Sequence, residues 1–377
     1  MRQDEQFIET ITLNAGGDGA GADFPMTNGL SFGGLPTWGF MLTVRGRAVI
    51  GTAAATLVPV LSPTTFIERI LVQADLAGRA GKVTLFDLPG SLAYAFAVMV
   101  TGAYPLFNED ALVANAGAIA THDFQFQIPV PLCCIGKMNA ADEMVARTLL
   151  LPGEFSGPLE VTIRTGGNDS IIDRAATSTV TMTAFGSGSG SPTVDITAIR
   201  YRLGPGELLG AGRRYVAQKS LRTTALGANI TNNFIARLTA NQKLARVLLR
   251  VGDLDSDSDP ALGGVSSTAM DRLTLKIGSQ LTIRNVNFLP YHFIEPWFAG
   301  RDEGWREIVT TAAAPLVGGQ ATREFVGCTL WDFVRDGHLE SALNLAEPKF
   351  AKEDLELHGN VTTETGLQVE AMYEALM

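Results

Sequence analysis

Two stretches of the chain repeat the same alternation of apolar runs and turn residues. The first has runs at 67–75 and 82–88 around a glycine-containing turn, and the second has runs at 244–253 and 272–279 around a longer polar loop. Each run is rich in leucine, isoleucine and valine and is bounded by turn residues. This pattern predicts two pairs of hydrogen-bonded strands.

The repeat indicates a duplicated domain. Arg69 and Arg246 occupy the same place in the two copies, and self-similarity at a fixed offset is typical of duplicated units. The offset of roughly 180 residues is longer than a solenoid repeat, so it predicts two whole domains of one fold. Chance similarity between strands is the alternative. A Gly-Pro-Gly sequence at 204–206 sets the expected boundary, which divides the chain into domains 1–205 and 206–377.

Further strands follow the same alternation in both halves. In one of them Phe40, Leu42 and Val44 alternate with more polar residues, as in a half-buried strand. Similar patterns predict strands at 38–50, 67–74, 82–88, 121–130, 158–164, 193–203, 213–224, 234–239, 244–251, 272–278, 281–288, 323–331 and 352–358. Strands at short spacing without regular helices between them favour antiparallel sandwiches. The predicted fold is therefore all-β, with two tandem eight-stranded jelly rolls and short helices in loops.

Other segments are predicted to be irregular or helical. Residues 14–36, rich in Gly, Asn and Pro, predict an irregular arm, and the Gly-Ser repeat at 186–192 predicts an exposed hairpin loop. Short helices are expected at 106–118 and 333–343. The apolar stretch at 91–100 is too short for a membrane span, and the N-terminus has no signal-peptide pattern, so we expect synthesis in the cytoplasm.

The charge balance argues against a nucleic-acid-binding surface. The net charge is −10, with 29 Lys and Arg against 39 Asp and Glu, whereas a nucleic-acid-binding surface needs a basic face. Hydrophobic residues make up 46% of the chain and charged residues 18%. We therefore expect large cores and broad contacts between subunits, without direct sequence-specific binding of nucleic acid.

Histidine and cysteine, two residue types that often ligate metals or catalyse reactions, are few and scattered. None of the four histidines has the i, i+4 spacing of a metal-binding pair; they are His122, His292, His338 and His358. Cys133, Cys134 and Cys328 form no disulfide framework and are expected to be buried as small apolar residues. No serine has the Gly-x-Ser-x-Gly flanks of a nucleophile. The sequence therefore predicts no catalytic residue, no cofactor and no metal.

One acidic segment is a candidate calcium site. Asp253, Asp255, Asp257 and Asp259 alternate with other residues, and carboxylates at alternate positions can converge on one hard cation. The segment departs from the helix–loop–helix calcium motif because Pro260 stands where that motif has glycine. A solvated acidic loop is the favoured interpretation, and cation binding by the three later aspartates is the alternative.

Two further groups of residues are candidates for a functional site. Trp297, Phe298 and Trp305 could bind a sugar, contact a neighbouring subunit or pack in the core. The adjacent acids at 142–143 and 302–303 would point to opposite faces of a strand, whereas a glycosidase needs two carboxylates that converge on one cleft. Neither group predicts an enzyme.

Five segments of the chain match the pattern of one known family. Residues 28–35, 40–46 and 63–72 resemble the first jelly roll of the double jelly-roll major capsid proteins, and residues 333–345 and 354–357 resemble the closing strands of the second. These proteins build tailless icosahedral bacteriophages, often with an internal membrane, such as those of the tectivirus and corticovirus lineage.

The resemblance implies a structural function. Three chains of such a protein form a homotrimer with a pseudo-hexagonal outline, and these trimers are the capsomers of the shell. The implied partners are therefore two other copies of the chain, neighbouring capsomers, minor capsid and penton proteins, and an underlying viral membrane. The implied location is the virion. A jelly-roll carbohydrate-binding protein or glycoside hydrolase is the alternative function.

Single replacement of each histidine by glutamine is expected to leave assembly unchanged, because no histidine has the spacing of a ligand or a catalytic base. The amount of assembled trimer, measured by size-exclusion chromatography, checks this expectation. A variant that forms a folded trimer yet loses a measurable hydrolytic activity would contradict it.

Overall fold

The structure of the chain is a computed structural model that describes most of the first half and the strands of the second. The described residues are 2–13, 21–50, 58–59, 63–78, 80–102, 121–136, 141–167, 172–173, 180–202, 214–222, 233–238, 243–253, 264–265, 270–277, 281–287, 328–334, 337–345, 355–361 and 368–377. They divide into two compact units, and the division falls between Tyr215 and Val216. The predicted boundary at 204–206 lies outside the described residues and stays a prediction.

The first unit is a sandwich of two antiparallel sheets. Its strands are β1 (Arg2–Thr12), β2 (Ala22–Pro25), β3 (Thr37–Ile50), β4 (Val58–Pro59), β5 (Ile67–Asp75), β6 (Lys82–Leu88), β7 (Thr121–Pro131), β8 (Glu160–Thr165), β9 (Ile172–Asp173), β10 (Val180–Thr183) and β11 (Thr193–Arg202). One sheet has the order β1-β11-β3-β7, and the other has the order β2-β8-β5-β6. The short β10 also pairs with β3, and β4 pairs with β9.

The second unit repeats this arrangement. Its strands are β12 (Val216–Arg222), β13 (Asn233–Leu238), β14 (Lys243–Asp253), β15 (Gly264–Val265), β16 (Met270–Ile277), β17 (Leu281–Asn287), β18 (Cys328–Asp332), β19 (Leu343–Asn344), β20 (Leu355–Val361) and β21 (Gln368–Leu376). One sheet has the order β12-β21-β14-β18, and the other has the order β13-β20-β16-β17. The short β15 and β19 also pair with β14.

Each unit has the strand order of a jelly roll. Without the short strands β4, β9, β10, β15 and β19, each unit has eight strands. The first, eighth, third and sixth form one sheet, and the second, seventh, fourth and fifth form the other. This is the order of two interlocked Greek keys. The predicted pair of tandem eight-stranded jelly rolls is therefore confirmed as the fold.

Alternate residues of the strands form the core of each sandwich. In the first unit Phe40, Leu42 and Val44 of β3 are fully buried, as their alternation predicts. In the second unit a cluster of buried apolar residues includes Val247 of β14 and Leu275 of β16, one from each sheet. Each roll thus contains a sheet-on-sheet core between its own two sheets.

The described residues of the first roll include two α-helices, both in loops. They are α1 (Gly90–Thr101) and α2 (Ala141–Thr148). Every residue of α1 from Gly90 to Val100 is buried, which explains why its sequence is apolar on all sides. A Cβ atom at Gly90 would lie 2.7 Å from the side chain of Ile67, so only glycine lets the helix begin against β5. No helix that the structure describes is long and apolar enough to cross a bilayer.

The strand pair that the sequence repeat predicts is correct in the first copy and wrong in the second. In the first copy, 67–75 and 82–88 are β5 and β6, which form the predicted hairpin. In the second copy, 244–253 and 272–279 fall on β14 and β16, which belong to different sheets, so their predicted pairing is wrong. Arg69 therefore lies on the fourth strand of its roll and Arg246 on the third. The error arises because all half-buried strands show the same alternation of apolar and polar residues. This alternation does not indicate which strand pairs with which.

Several local predictions also need correction. The predicted helix at 333–343 is wrong, because the described residues of this segment form a single 3₁₀ turn at Leu339–Ser341, followed by β19. The irregular arm at 14–36 contains β2. The loop at 186–192 is largely exposed but closes no hairpin, since β10 and β11 both pair with β3 and lie one after the other along it. The helix predicted at 106–118 lies outside the described residues.

Replacement of a core residue by aspartate is expected to abolish folding. The changes Phe40→Asp and Leu248→Asp each bury a carboxylate at a position that is 0% exposed. An unpaired buried charge costs several kcal/mol, on the scale of the roughly 5–15 kcal/mol that stabilise a whole domain. Soluble yield and the thermal transition by circular dichroism check this. The matched control is Phe185→Asp, because Phe185 is 45% exposed; equal losses in control and core variants would contradict the expectation.

Candidate assembly surface

The first strand of the chain is an open edge of the first jelly roll. β1 pairs with β11 along its length, and within the described residues no strand pairs with its other side. Most of its side chains are exposed, and Phe7 is 59% exposed. The strand carries Asp4, Glu5 and Glu9 against a single basic residue, Arg2. An exposed edge of this length presents main-chain groups that can pair with a further strand.

A buried arginine fastens this strand to the roll. Arg200 on β11 is 2% exposed, and its guanidinium donates hydrogen bonds to the Gln6 side chain and to the Ser31 carbonyl oxygen. Gly33 has a φ of +58°, which favours glycine, and a Cβ atom there would lie 2.8 Å from the guanidinium, so a larger residue would also displace the Arg200 side chain. Burial lowers the pKa of Arg200 from its ordinary value. These contacts add to the main-chain pairing that joins β1 to β11.

A loop at one end of the first roll presents a second exposed aromatic residue. Residues 184–192 join β10 to β11, and Phe185 is 45% exposed. The Asp123 carboxylate accepts two hydrogen bonds of 2.7 Å from Arg47 and one of 2.9 Å from the Gly186 backbone N–H. These bonds, with that from Arg47 the largest cause, lower the pKa of Asp123. The ionised carboxylate therefore ties the loop to the sheet at neutral pH.

Ion pairs cover part of the other sheet of the first roll. The closest N–O distances are 2.6, 2.6 and 2.9 Å, in the pairs Arg69–Asp87, Lys82–Glu160 and Arg164–Glu68. All six side chains are at least 30% exposed, and pairs of this kind contribute only about 0–1 kcal/mol each. Interface cores are depleted in charge, so this charged face is a poor candidate for the core of a subunit contact.

The second unit buries a row of polar and charged side chains across one sheet. Arg246 on β14 lies opposite Glu374 on β21 and Asp332 on β18. Its guanidinium lies 2.7 Å from the Glu374 carboxylate and 3.1 Å from that of Asp332, and Gln218 on β12 donates a hydrogen bond to Glu374. Arg246 is 1% and Glu374 0% exposed. Desolvation raises the pKa of Glu374, although Arg246 and Gln218 oppose that effect.

A second buried pair lies further along the same two strands. Arg250 on β14 is bonded to Glu370 on β21, and both are nearly inaccessible to solvent. A shift of β21 by one residue would turn Glu370 and Glu374 to the other face of the sheet, away from both arginines. The two pairs therefore make the register of the last strand costly to change. Sequence analysis missed them, although two arginines and two glutamates, each four residues apart, are a readable signal.

The structure places several of the candidate residues named from sequence. Cys133, Cys134 and Cys328 are all buried, in agreement with the prediction that they pack as small apolar residues. His338 is exposed, and the Nε2 atom of His358 lies 3.0 Å from the Glu356 carboxylate. His122 lies on β7. In the part of the chain that the structure describes, no three His, Cys, Asp or Glu side chains are placed to hold a metal ion.

Other candidates lie outside the described residues. These are His292, the aspartates Asp255, Asp257 and Asp259, the aromatics Trp297, Phe298 and Trp305, and the acids at 302–303. The acids at 142–143 lie on α2 and not on a strand, so the prediction that they point to opposite faces of a strand is wrong. This short helix buries Met144, Val145 and Thr148.

The fold matches solved structures along the whole chain. The major capsid protein of Sulfolobus turreted icosahedral virus superposes with a TM-score of 0.62 at 14% identity, over 100% of this chain and 97% of that chain. A second structure from that virus gives a TM-score of 0.61 at 15% identity, over 100% of this chain and 91% of that chain. The Faustovirus major capsid protein gives a TM-score of 0.54 at 8% identity, over 100% of this chain and 90% of that chain.

Similarity is limited to the fold. No protein-family model matches the chain, and no curated protein sequence matches it. The solved structures that share the fold are double jelly-roll capsid proteins, and at 15% identity or less the likeness establishes the double jelly roll and nothing further.

Removal of one partner from the buried row is expected to destabilise the second roll strongly. Arg246→Ala leaves the buried Glu374 without its closest cation, which lowers the free energy of unfolding by about 3–5 kcal/mol. The matched control is Arg45→Ala, because Arg45 is 46% exposed and lies 3.4 Å from Asp195; its loss is about 1 kcal/mol or less. Urea denaturation measures both. Equal losses of unfolding free energy in Arg246→Ala and Arg45→Ala would contradict the role assigned to the buried row.

The bond between Arg47 and Asp123 is expected to give a pH-dependent contribution to stability. Because the pKa of Asp123 is lowered in the folded state, the ion pair stabilises the fold above the ordinary carboxyl pKa of about 3.9, and this stabilisation is lost as the pH falls through the folded-state value. The difference in unfolding free energy between the wild type and Asp123→Asn should therefore be present at neutral pH and shrink below about pH 4. A difference that stays constant from neutral to acidic pH would contradict this.

Proposed function

We propose that this chain is a major capsid protein that forms the shell of an icosahedral virus. The observation that supports this most directly is the presence of two jelly rolls with the same strand order in one chain. The capsid proteins of Sulfolobus turreted icosahedral virus match this architecture over the whole chain. Nothing in the described residues favours the alternative of a carbohydrate-binding protein or glycoside hydrolase.

The proposed building block is a homotrimer. Three chains with two similar rolls each place six similar modules around a three-fold axis, which gives an outline close to a hexagon that can tile a closed shell. The domain limits proposed for this arrangement are 1–205 and 206–377. The low charged fraction of 18% suits broad contacts between the subunits.

In this proposal the function lies in interfaces and not in a catalytic site. The open edge of β1 with Phe7, and the loop that presents Phe185, are surfaces that a neighbouring subunit can bury. The further proposed partners are neighbouring capsomers, minor capsid and penton proteins, and a viral membrane beneath the shell. We propose that the chain is made in the host cytoplasm and resides in the virion, without enzymatic activity.

The mass of the purified chain tests the proposed function. Size-exclusion chromatography with light scattering should give three times the chain mass of 40.1 kDa. Each contact between neighbours should bury more than about 800 Å² in total, the range above weak packing contacts. A monomer at micromolar concentration that binds glycans on an array would reject the capsid proposal and support the alternative.

A further inference from the structure

Two of the edge strands, β1 in the first roll and β17 in the second, each have one side without a partner strand in the described residues. β1 pairs only with β11, and β17 pairs only with β16, as far as the described residues go. Each strand therefore presents a row of main-chain N–H and C=O groups along one side, over 11 residues in β1 and seven in β17. Proteins usually pair, cover or blunt such edges, because an open edge is a template for another strand.

The charges of the two strands are complementary. β1 carries Asp4, Glu5 and Glu9 against Arg2, whereas β17 carries Arg284 and no acidic residue. Pairing of β1 with a second copy of itself would bring acidic residues close to acidic residues, and pairing of β17 with itself would do the same for arginine. Like charges on facing strands destabilise a sheet and unlike charges stabilise it. The charges therefore favour contact between β1 and a basic edge such as β17 over contact between two copies of the same edge.

We propose that β1 of one copy adds to the open edge of β17 in the next copy, and that this strand pairing joins the chains of the capsomer. The inference rests on the proposed function, because it assigns the contact that closes the proposed trimer. Contact between two different surfaces is head-to-tail, and a head-to-tail contact forms a closed ring when its rotation closes. A contact between identical edges would instead give a two-fold dimer.

The exposed aromatic residue of β1 suits this contact. Phe7 is one of three exposed large hydrophobic side chains among the described residues, and it lies near the middle of the strand. Because Arg200 and Asp4 fix β1 to the roll, the strand is ordered before it meets its partner. Pre-organisation lowers the entropy lost on association and so favours binding through a short strand.

Site-directed crosslinking in the full chain tests which segment covers β1. A benzophenone amino acid replaces Phe7 in one variant and Phe185 in a control variant, and the crosslinked peptides are identified by mass spectrometry. We expect the crosslinks from position 7 to reach peptides that contain residues 281–287 of a neighbouring copy, and those from position 185 to reach other segments. Phe185 suits the control because it is also an exposed phenylalanine but lies outside β1.

A charge-reversal cycle tests whether attraction between the charges of β1 and β17 stabilises the contact. Glu5→Lys and Arg284→Glu should each raise the dissociation constant of the trimer by about tenfold, since each places like charges across the three contacts. The double variant should return to within about threefold of the wild type. Glu5 is exposed, and its described hydrogen bond is with the nearby Gln3, so its reversal should leave the monomer folded; thermal melting checks this.

The outcomes separate this inference from the function on which it rests. A chain that stays monomeric overturns both. A stable trimer whose crosslinks from position 7 reach segments other than 281–287 overturns the strand pairing and leaves the capsid proposal standing. A double variant that is weaker than either single variant also overturns the pairing.

Discussion

The structure depends on the need of each sheet to bury one apolar face. In the first roll, Phe40 and Leu42 of β3 and Phe126 of β7 are fully buried, and their neighbours along the strands face the other way. Full burial of such side chains contributes about 1.5–3 kcal/mol each. Since each roll covers its own apolar faces, a chain with two rolls has two cores.

The two rolls use charge differently on corresponding sheets. In the first roll the pair Arg47–Asp123 is partly exposed, whereas in the second roll Arg246 and Glu374 are buried in the sheet with the same strand order. A buried ion pair adds little net stability, because desolvation offsets the attraction between the charges. Its clearer effect is on register, because a slipped β21 would bury charges without partners. We infer that the second roll gains a unique strand alignment from these pairs.

Sequence alternation predicted where many of the strands lie but not how they pair. Residues 37–50 and 121–131 were found because apolar and polar positions alternate cleanly there. β1 was missed because most of its side chains are exposed, and β21 because its alternate positions hold buried glutamates among good helix formers. The repeat at 244–253 was assigned to the wrong strand of its roll, since partner choice depends on contacts that are distant in sequence. The burial of the cysteines is predicted from sequence, whereas the open edge at β1, which belongs to the candidate surface, is not.

Particle images offer the most direct test of the account. Electron microscopy of the purified chain, at concentrations where it assembles, should give class averages with three-fold symmetry and a nearly hexagonal outline, made of six similar lobes. Such images would follow from three chains that each contribute two jelly rolls. Class averages that show single two-lobed molecules, or rings with a different symmetry, would contradict the claim that this double jelly roll builds a viral shell.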